Sequence, residues 1–311
     1  MNPQGMPTPY ADDEIDLKEL FGVLWDGKVI IAAITGAAAV IAVMVALSMT
    51  NIYRSEALLM PASGGDNMGS LASKYGGLAS LAGISLGGGG AGDKTTLAME
   101  VMKSRQFLQS FIEKRDILVP LMAAEGWNRG DDTLEINDDL YDPGTQQWVR
   151  DVDPPKTAAP SLQEAHEVFT KLISLSQDKE SGFVTLAIEH VSPTVAQQWV
   201  TWLVEDVNDV IRQQDVAQAE RSIAYLKEQI AATSLADLQA GFFELIQKQT
   251  ETIMLAKASP EYVFRTVDPA VVPEQKSKPK RALICVLGTM LGGMLGVLIV
   301  LIRHYAFKEE Q

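Results

Sequence analysis

Two stretches of this chain hold no charged residue for 21 positions each. Val29–Met49 reads VIIAAITGAAAVIAVMVALSM and Ala282–Ile302 reads ALICVLGTMLGGMLGVLIVLI. As helices rising about 1.5 Å per residue, each matches the roughly 30 Å hydrocarbon core of a bilayer. A Lys or Arg at the centre of such a helix would cost about 2.5–3.5 kcal/mol on insertion. A buried core helix is the bland alternative, and a cleaved signal peptide is a second one for the first run. The residues before that run are acidic (Asp12, Asp13, Glu14, Asp16, Glu19, Asp26) where a signal peptide is basic. The reading taken is therefore a retained signal anchor and a second span.

Two spans divide the chain into a head (1–28), a first transmembrane helix (29–49), a large domain (50–281), a second transmembrane helix (282–302) and a tail (303–311). Both termini then lie on one side of the membrane. The flanking charges do not say which side. Lys18, Lys28, Arg303 and Lys308 stand on the terminal side, Arg54, Lys276, Lys278, Lys280 and Arg281 on the domain side. Across 311 residues the net charge is -14, against nucleic acid as a bulk partner. One Cys and three His exclude a disulfide framework and argue against a Cys/His zinc site. The one Cys, Cys285, lies in the second span, so the domain between the spans has none, which suits an oxidising compartment.

Within that domain the pattern is mixed α+β. Ile52–Pro61 partly alternates and reads as a strand. Gly64–Asp93 is rich in Gly, Ser and Ala and reads as a loop with a short helix near Leu78–Leu81. Thr95–Lys114 reads as one helix capped by Thr95 or Thr96. Gly126–Pro160 is polar and turn-rich, a surface loop. Ser161 opens a helix with Glu164 in a capping box. Phe183–Val191 alternates, a strand whose expected neighbour is Ile52–Pro61. From Ser192 to Ser259 apolar residues recur at three- and four-residue steps, broken at most near Thr233–Ser234. Uninterrupted, that rod would reach about 100 Å and must pack on its own return or on neighbouring subunits. Glu261–Asp268 returns as a strand, and Pro269–Arg281 is a stiff link. The expected plan is a base built from 50–191 and 260–281, with a long helix over 192–259.

Few motifs carry chemistry. Gly87–Thr95 (GGGGAGDKT) approaches a phosphate loop, but Asp93 stands where Gly must precede Lys94. Asp131, Asp132, Glu135, Asp138, Asp139 and Asp142 lack the order of a calcium loop and read as a solvated face. His166 and His190 have no implied partner. No catalytic, cofactor-binding or metal-binding residue is assigned. The stronger signals are mechanical. Gly288, Gly292 and Gly296 make a GxxxGxxxG strip that permits close helix approach, expected between subunits or against a partner protein. Lys276, Lys278, Lys280 and Arg281 form a basic run at lipid headgroup level, or a plain charged stop.

At these positions the sequence resembles the Wzz-type polysaccharide chain length determinants. The resemblance lies in EIDLKELFGVLWDGK before the first span, YRSEALLMP after it, and PAVVPEQKSKPKRALI entering the second. In the family's closing motif, Pro269, Pro273, Pro279 and Lys280 match the proline-rich part, and Gly292 and Gly296 follow at the expected distance. The gap from Pro269 to Pro273 is one residue longer than usual, and Lys278 intervenes before Pro279. The acidic stretch Gly126–Pro160 lies outside the resemblance.

What the resemblance implies is an inner-membrane polysaccharide co-polymerase with cytoplasmic termini and a periplasmic domain. Its fold is an α/β base domain with a long extended helix between two transmembrane helices. Subunits form a homo-oligomeric ring that regulates the length of O antigen, or a related glycan, made on a lipid carrier by a Wzy-type polymerase. Leu238 and Phe242, on the apolar stripe of the long helix, are expected to face other helices in the ring. The protein is expected not to be an enzyme, to use no cofactor, and to lack the kinase that capsule-system relatives carry. A two-span periplasmic sensor and a membrane-bound hydrolase are the alternatives; short ends oppose the first and the absence of a site opposes the second.

Overall fold

A computed structural model describes residues 17–62 and 91–308. The expected helix near Leu78–Leu81, and most of the Gly-rich loop around it, lie outside the described residues. The chain forms two compact units, one from residues 1–49 with 278–311 and one from 50–277.

In the first unit α1 (Leu17–Asp26) runs into α2 (Lys28–Ser48), and α9 (Arg281–Lys308) returns beside α2. Helical hydrogen bonds continue through Gly27, whose N–H donates to Val23 and whose carbonyl accepts from Ile31, both at 3.0 Å. The two long helices are antiparallel: Gly27 lies beside Val300 and Gly288 beside Ala42. Their outer faces expose Val40, Met44, Leu291 and Met294, as a lipid environment requires. Charge-free sequence makes both helices; α9 runs six residues past Ile302, because RHYAFK keeps helical propensity after the apolar run ends.

The second unit is a four-stranded antiparallel sheet, order β6–β7–β1–β8, packed against helices. Its strands are β1 (Tyr53–Pro61), β6 (Ile173–Gln177), β7 (Val184–His190) and β8 (Phe264–Asp268). β1 pairs β7 from Tyr53↔His190 to Leu59↔Val184, the expected neighbour. β6, too short and polar to be seen as a strand, pairs the other side of β7. Buried Leu59, Leu186 and Ile188 of the sheet meet Phe111, Phe169, Trp199 and Leu203 from the helices. Phe169 stacks on Trp199 at 5.5 Å between ring centres and takes Phe111 edge-on at 5.6 Å.

Three expectations need correction. The helix over 95–114 is two, α3 (Ala91–Lys103) and α4 (Arg105–Lys114). Ser104 is extended and accepts the Phe107 N–H, restarting the helix, while Thr95 is buried inside α3 rather than capping it. The loop over 126–160 carries structure: after α5 (Leu118–Met122), β2 (Ala124–Asn128) pairs β3 (Thr133–Ile136) and β4 (Tyr141–Asp142) pairs β5 (Gln147–Trp148). Asn128, Asn137 and Asp142 each accept a backbone N–H two residues on, bonds that tie turns shut in strands too short to show a pattern. The capping box opening α6 (Leu162–Leu172) is present as expected.

The third correction is the rod. α7 (Pro193–Ala232) is a 40-residue helix, about 60 Å long. Thr233 is extended, and Gln239 Nε2 donates to Thr233 O at 2.8 Å and closes the turn. α8 (Ala236–Ala258) then runs back along α7. The single helix over 192–259 is thus an antiparallel hairpin, and the chain supplies its own return. The apolar stripe is continuous through the turn, so its period does not reveal the reversal.

Candidate functional site: the span pair and the helical hairpin

The glycine strip is used inside the chain. A Cβ built on Gly288 would run into the methyl of Ala42, and one on Gly292 into the methyl of Ala38. One on Gly296 would stand 3.1 Å from Ile31 Cα and 3.3 Å from its carbonyl oxygen. The side chains opposite are themselves small, so backbones approach closely along three turns. Within the chain the strip formed by Gly288, Gly292 and Gly296 lies against α2. The sequence carried a signal for this in Ala38 and Ala42, at the same four-residue spacing on α2.

The basic run is divided in its work. Arg281 Nε donates to Ala46 O at 3.0 Å, satisfying a carbonyl at the C-terminal end of α2. Lys276 Nζ donates to Asn51 Oδ1 at 3.1 Å. Lys280 is exposed. The proline-rich segment is held along the start of β1. Val271 O accepts from Ser55 Oγ at 2.7 Å, and Ser277 N–H donates to Ile52 O at 2.8 Å. Pro269 and Pro273 lack an N–H, so the segment bonds through carbonyls and the few donors left.

At the foot of the hairpin Asn208 on α7 takes hold of the returning strand. Its Oδ1 accepts from Val263 N at 2.8 Å and Phe264 N at 2.9 Å, and its Nδ2 donates to Phe264 O at 3.0 Å. Asp215 accepts from Lys94 Nζ at 2.9 Å and from Tyr262 Oη at 2.7 Å. Burial and the Asp215 carboxylate push the Tyr262 hydroxyl well above its ordinary range. Lys94, the lysine of the phosphate-loop-like run, is thus a structural ion-pair partner. Asp206, almost fully buried, takes Lys114 at 2.7 Å and Arg115 at 2.9 Å. The hydrogen bond to Asp206 raises the Arg115 guanidinium still further above neutrality. These residues were invisible in the sequence because each bond joins segments 47–121 positions apart.

Leu238 and Phe242 are half-buried on the α8 face that also carries buried Gly241, Leu245, Gln249 and Ala256. Opposite, α7 buries Ala219, Ser222 and Leu226. Within the chain both residues lie on the face that closes the hairpin.

The remaining candidates are structural. Asp132 accepts from Trp127 Nε1 at 2.7 Å and Thr194 Oγ1 at 3.0 Å, pinning the β2–β3 hairpin to the start of α7. Asp142 is held below its usual range by Thr145 and the Gly144 N–H. His190 is buried; Nδ1 accepts from Ser192 N and Nε2 lies 3.0 Å from Pro120 O. Burial lowers its pKa. Glu164, bonded to Arg150 and the Ser161 N–H, is held down to about 2. An open hollow of about 480 Å³ at the hairpin foot is lined by Arg212, Val216, Glu220 and Lys257 and brings together no nucleophile and base. Among the described residues no group of His, Cys, Asp and Glu is placed to hold a metal.

The two ends of this architecture match known sequence families. Residues 13–115 match the chain length determinant protein family, Wzz. Residues 239–305 match GNVR, a G-rich domain described on tyrosine kinases. The first match covers about a third of the chain and the second about a fifth. Two solved structures are similar at low identity. One is a full-length bacterial polysaccharide co-polymerase, 14% identical, covering 94% of this chain and 99% of that one, with a TM-score of 0.40. The other is a fragment of WzzB, a polysaccharide co-polymerase from Salmonella Typhimurium, 11% identical, covering 73% and 100%, with a TM-score of 0.27. No curated protein matches the sequence. The sequence matches fall on the spans and on the segments that enter and leave them, and they agree with the resemblance to the Wzz-type chain length determinant proteins.

Proposed function

We propose that this chain regulates the length of O antigen, or of a related surface glycan, polymerised on a lipid carrier by a Wzy-type enzyme. It acts without chemistry of its own, as a homo-oligomeric scaffold in the bacterial inner membrane. Residues 1–28 and 303–311 face the cytoplasm, and 50–281 form the periplasmic domain. The observation that carries this reading is the chain length determinant match over 13–115, which runs from the head through the first span into β1 and α4. Two features support a mechanical role: the buried carboxylate Asp206 is held in ion pairs with Lys114 and Arg115, and small residues hold the two spans at close range. In that role Gly288, Gly292 and Gly296 fix the span pair, Leu238 and Phe242 fix the hairpin, and Lys280 is free to meet anionic headgroups.

The test is the glycan length profile of a strain lacking this gene, with and without the gene restored on a plasmid. The expected result is a modal distribution that collapses on deletion and returns on complementation. An unchanged profile refutes the regulatory role, and loss of all polymer refutes the non-catalytic one.

A further inference from the structure

At the end that carries the chain termini, the span pair has more apolar surface than its charge-free runs account for. Phe21 and Trp25 stand one turn apart on the outer side of α1, 68% and 62% exposed, their rings stacked at 6.3 Å between centres. The opposite side of α1 is occupied: Val23 is buried, and Gly27 lies against Val300 of α9. The contacts of Ile31 with Gly296 and of Gly27 with Val300 set the register, four residues along α2 for four along α9. Two residues further out, Ile302, the last of the second charge-free run, is therefore level with Trp25, and Arg303 and Tyr305 are level with Leu24 and Gly22. The first charge-free run begins only at Val29, one turn short of that line. Lys28 lies between, and its Nζ reaches back to 4.7 Å from the centre of the Trp25 ring. Lys28, Arg303 and Tyr305 are all exposed.

We propose that α1 is seated in the headgroup layer of the bilayer. Hydrocarbon reaches Trp25 rather than Val29, Phe21, Trp25 and Tyr305 lie in the interfacial band, and Lys28 and Arg303 take the phosphates of anionic phospholipids. The proposal rests on the reading that α2 and α9 cross a membrane. Continuity argues for lipid as the occupant. Phe21, Trp25 and Val29 follow one another at steps of four, and the helix runs unbroken through Gly27, so the aromatic side of α1 passes directly into the exposed side of α2 at Val29, Val40 and Met44. In the membrane that side faces acyl chains. Two helices in close contact share one bilayer, so the apolar edge of α9 at Ile302 also sets the edge for α1. Trp and Tyr suit such an edge because an apolar ring ends in one polar N–H or O–H. A lysine one turn inside the edge keeps its ammonium wet by running its stem outward, the direction Lys28 takes toward Trp25. Helical side chains lean toward the N-terminus, so the backbone favours that direction. Asp26 is exposed one residue inward, about 1.5 Å past the line, and stays hydrated.

The test uses the full chain in lipid nanodiscs, with Trp25→Phe to isolate the emission of Trp25 by difference. Phosphatidylcholine brominated on the acyl chain just below the headgroup is expected to quench that emission, and phosphatidylcholine brominated near the chain ends to quench it less. Stronger quenching from the chain ends overturns the boundary at Trp25. Emission quenched by aqueous iodide and by neither lipid overturns the seat. Emission shielded from iodide and lipid alike overturns lipid as the occupant and leaves the aromatic side to a protein. Val40→Trp in the Trp25→Phe background separates this inference from the reading beneath it: if bromine near the chain ends fails to quench Trp at that position, the membrane crossing itself is wrong. Quenching there with none at Trp25 sinks only the seat. Hydrogen exchange over residues 20–28 tests the headgroup contact. Replacing part of the phosphatidylcholine with phosphatidylglycerol is expected to slow it about fivefold, the factor that one cation near an anionic surface supplies. Lys28→Gln with Arg303→Gln is expected to abolish the difference. Equal exchange of the wild type in the two lipids overturns the phosphate contact, and a difference that survives in the double variant overturns its assignment to Lys28 and Arg303.

Discussion

Asn208 is the polar group on which the foot of the hairpin depends. It is buried to 3% exposure and makes three hydrogen bonds to the backbone of Val263 and Phe264. Asn208→Leu keeps the volume and removes all three. Two N–H groups and one carbonyl then lie in a dry site without partners, at about 1–3 kcal/mol each. Leucine's own burial offsets part of this, leaving a net loss of about 3–5 kcal/mol. Against a total of about 5–15 kcal/mol, that is a large share. For a domain of this size it lowers the melting temperature by about 10 °C. Asn208→Asp is the informative companion: it keeps the acceptor for both N–H groups, while a carboxylate oxygen and its buried charge replace the donor to the Phe264 carbonyl. Thermal melts of the full chain in detergent, followed by tryptophan fluorescence, measure the cost. Hydrogen exchange over 261–268 locates it, with protection lost in the Leu variant and largely kept in the Asp variant. A Leu variant that melts within 2 °C of wild type, with those amides still protected, refutes the reasoning.

Gly292→Ala is expected to separate the two spans without impairing insertion, because a methyl adds no polarity. Adding Ala38→Gly should restore the pairing, scored by cysteine cross-linking between α2 and α9, whereas Thr289→Leu should disturb it less. Protonation of His190 would break the bond from Ser192 N–H to Nδ1. Its folded-state pKa lies below the ordinary value, so its contribution is complete above about pH 6.5 and is lost as pH falls through the folded pKa. The wild-type melting temperature should drop from pH 7 to pH 5, more steeply than in His190→Gln. Glu164→Gln is expected to cost about 1–2 kcal/mol and to free the 149–160 segment, read as faster proteolysis there. The carboxylate's folded pKa of about 2 means its share of stability is held above about pH 4.5 and falls away toward pH 2.

Much of this protein was legible in one dimension. Two charge-free runs of the length of a bilayer, the capping box at Ser161 and Glu164, and the alternation within Ile52–Pro61 and Phe183–Val191 are local facts. Absence of charge, a capping pair three residues apart, and alternation within a strand are all written in neighbouring positions. The family resemblance likewise sat in short contiguous runs beside the spans. What tertiary structure decided were the partners. The glycine strip announces that some helix comes close, and only the fold says that it is α2 of the same chain, through Ala38 and Ala42. The apolar stripe from Trp199 to Ile253 announces packing, and only the bend at Thr233 turns it into a hairpin with Leu238 and Phe242 inside. Asn208 against Phe264 and Asp132 against Thr194 leave no local trace, because each side chain is ordinary in its own helix or loop. Periodicity reports that a face is buried; what buries it is set by contacts between segments that the chain brings together only when it folds.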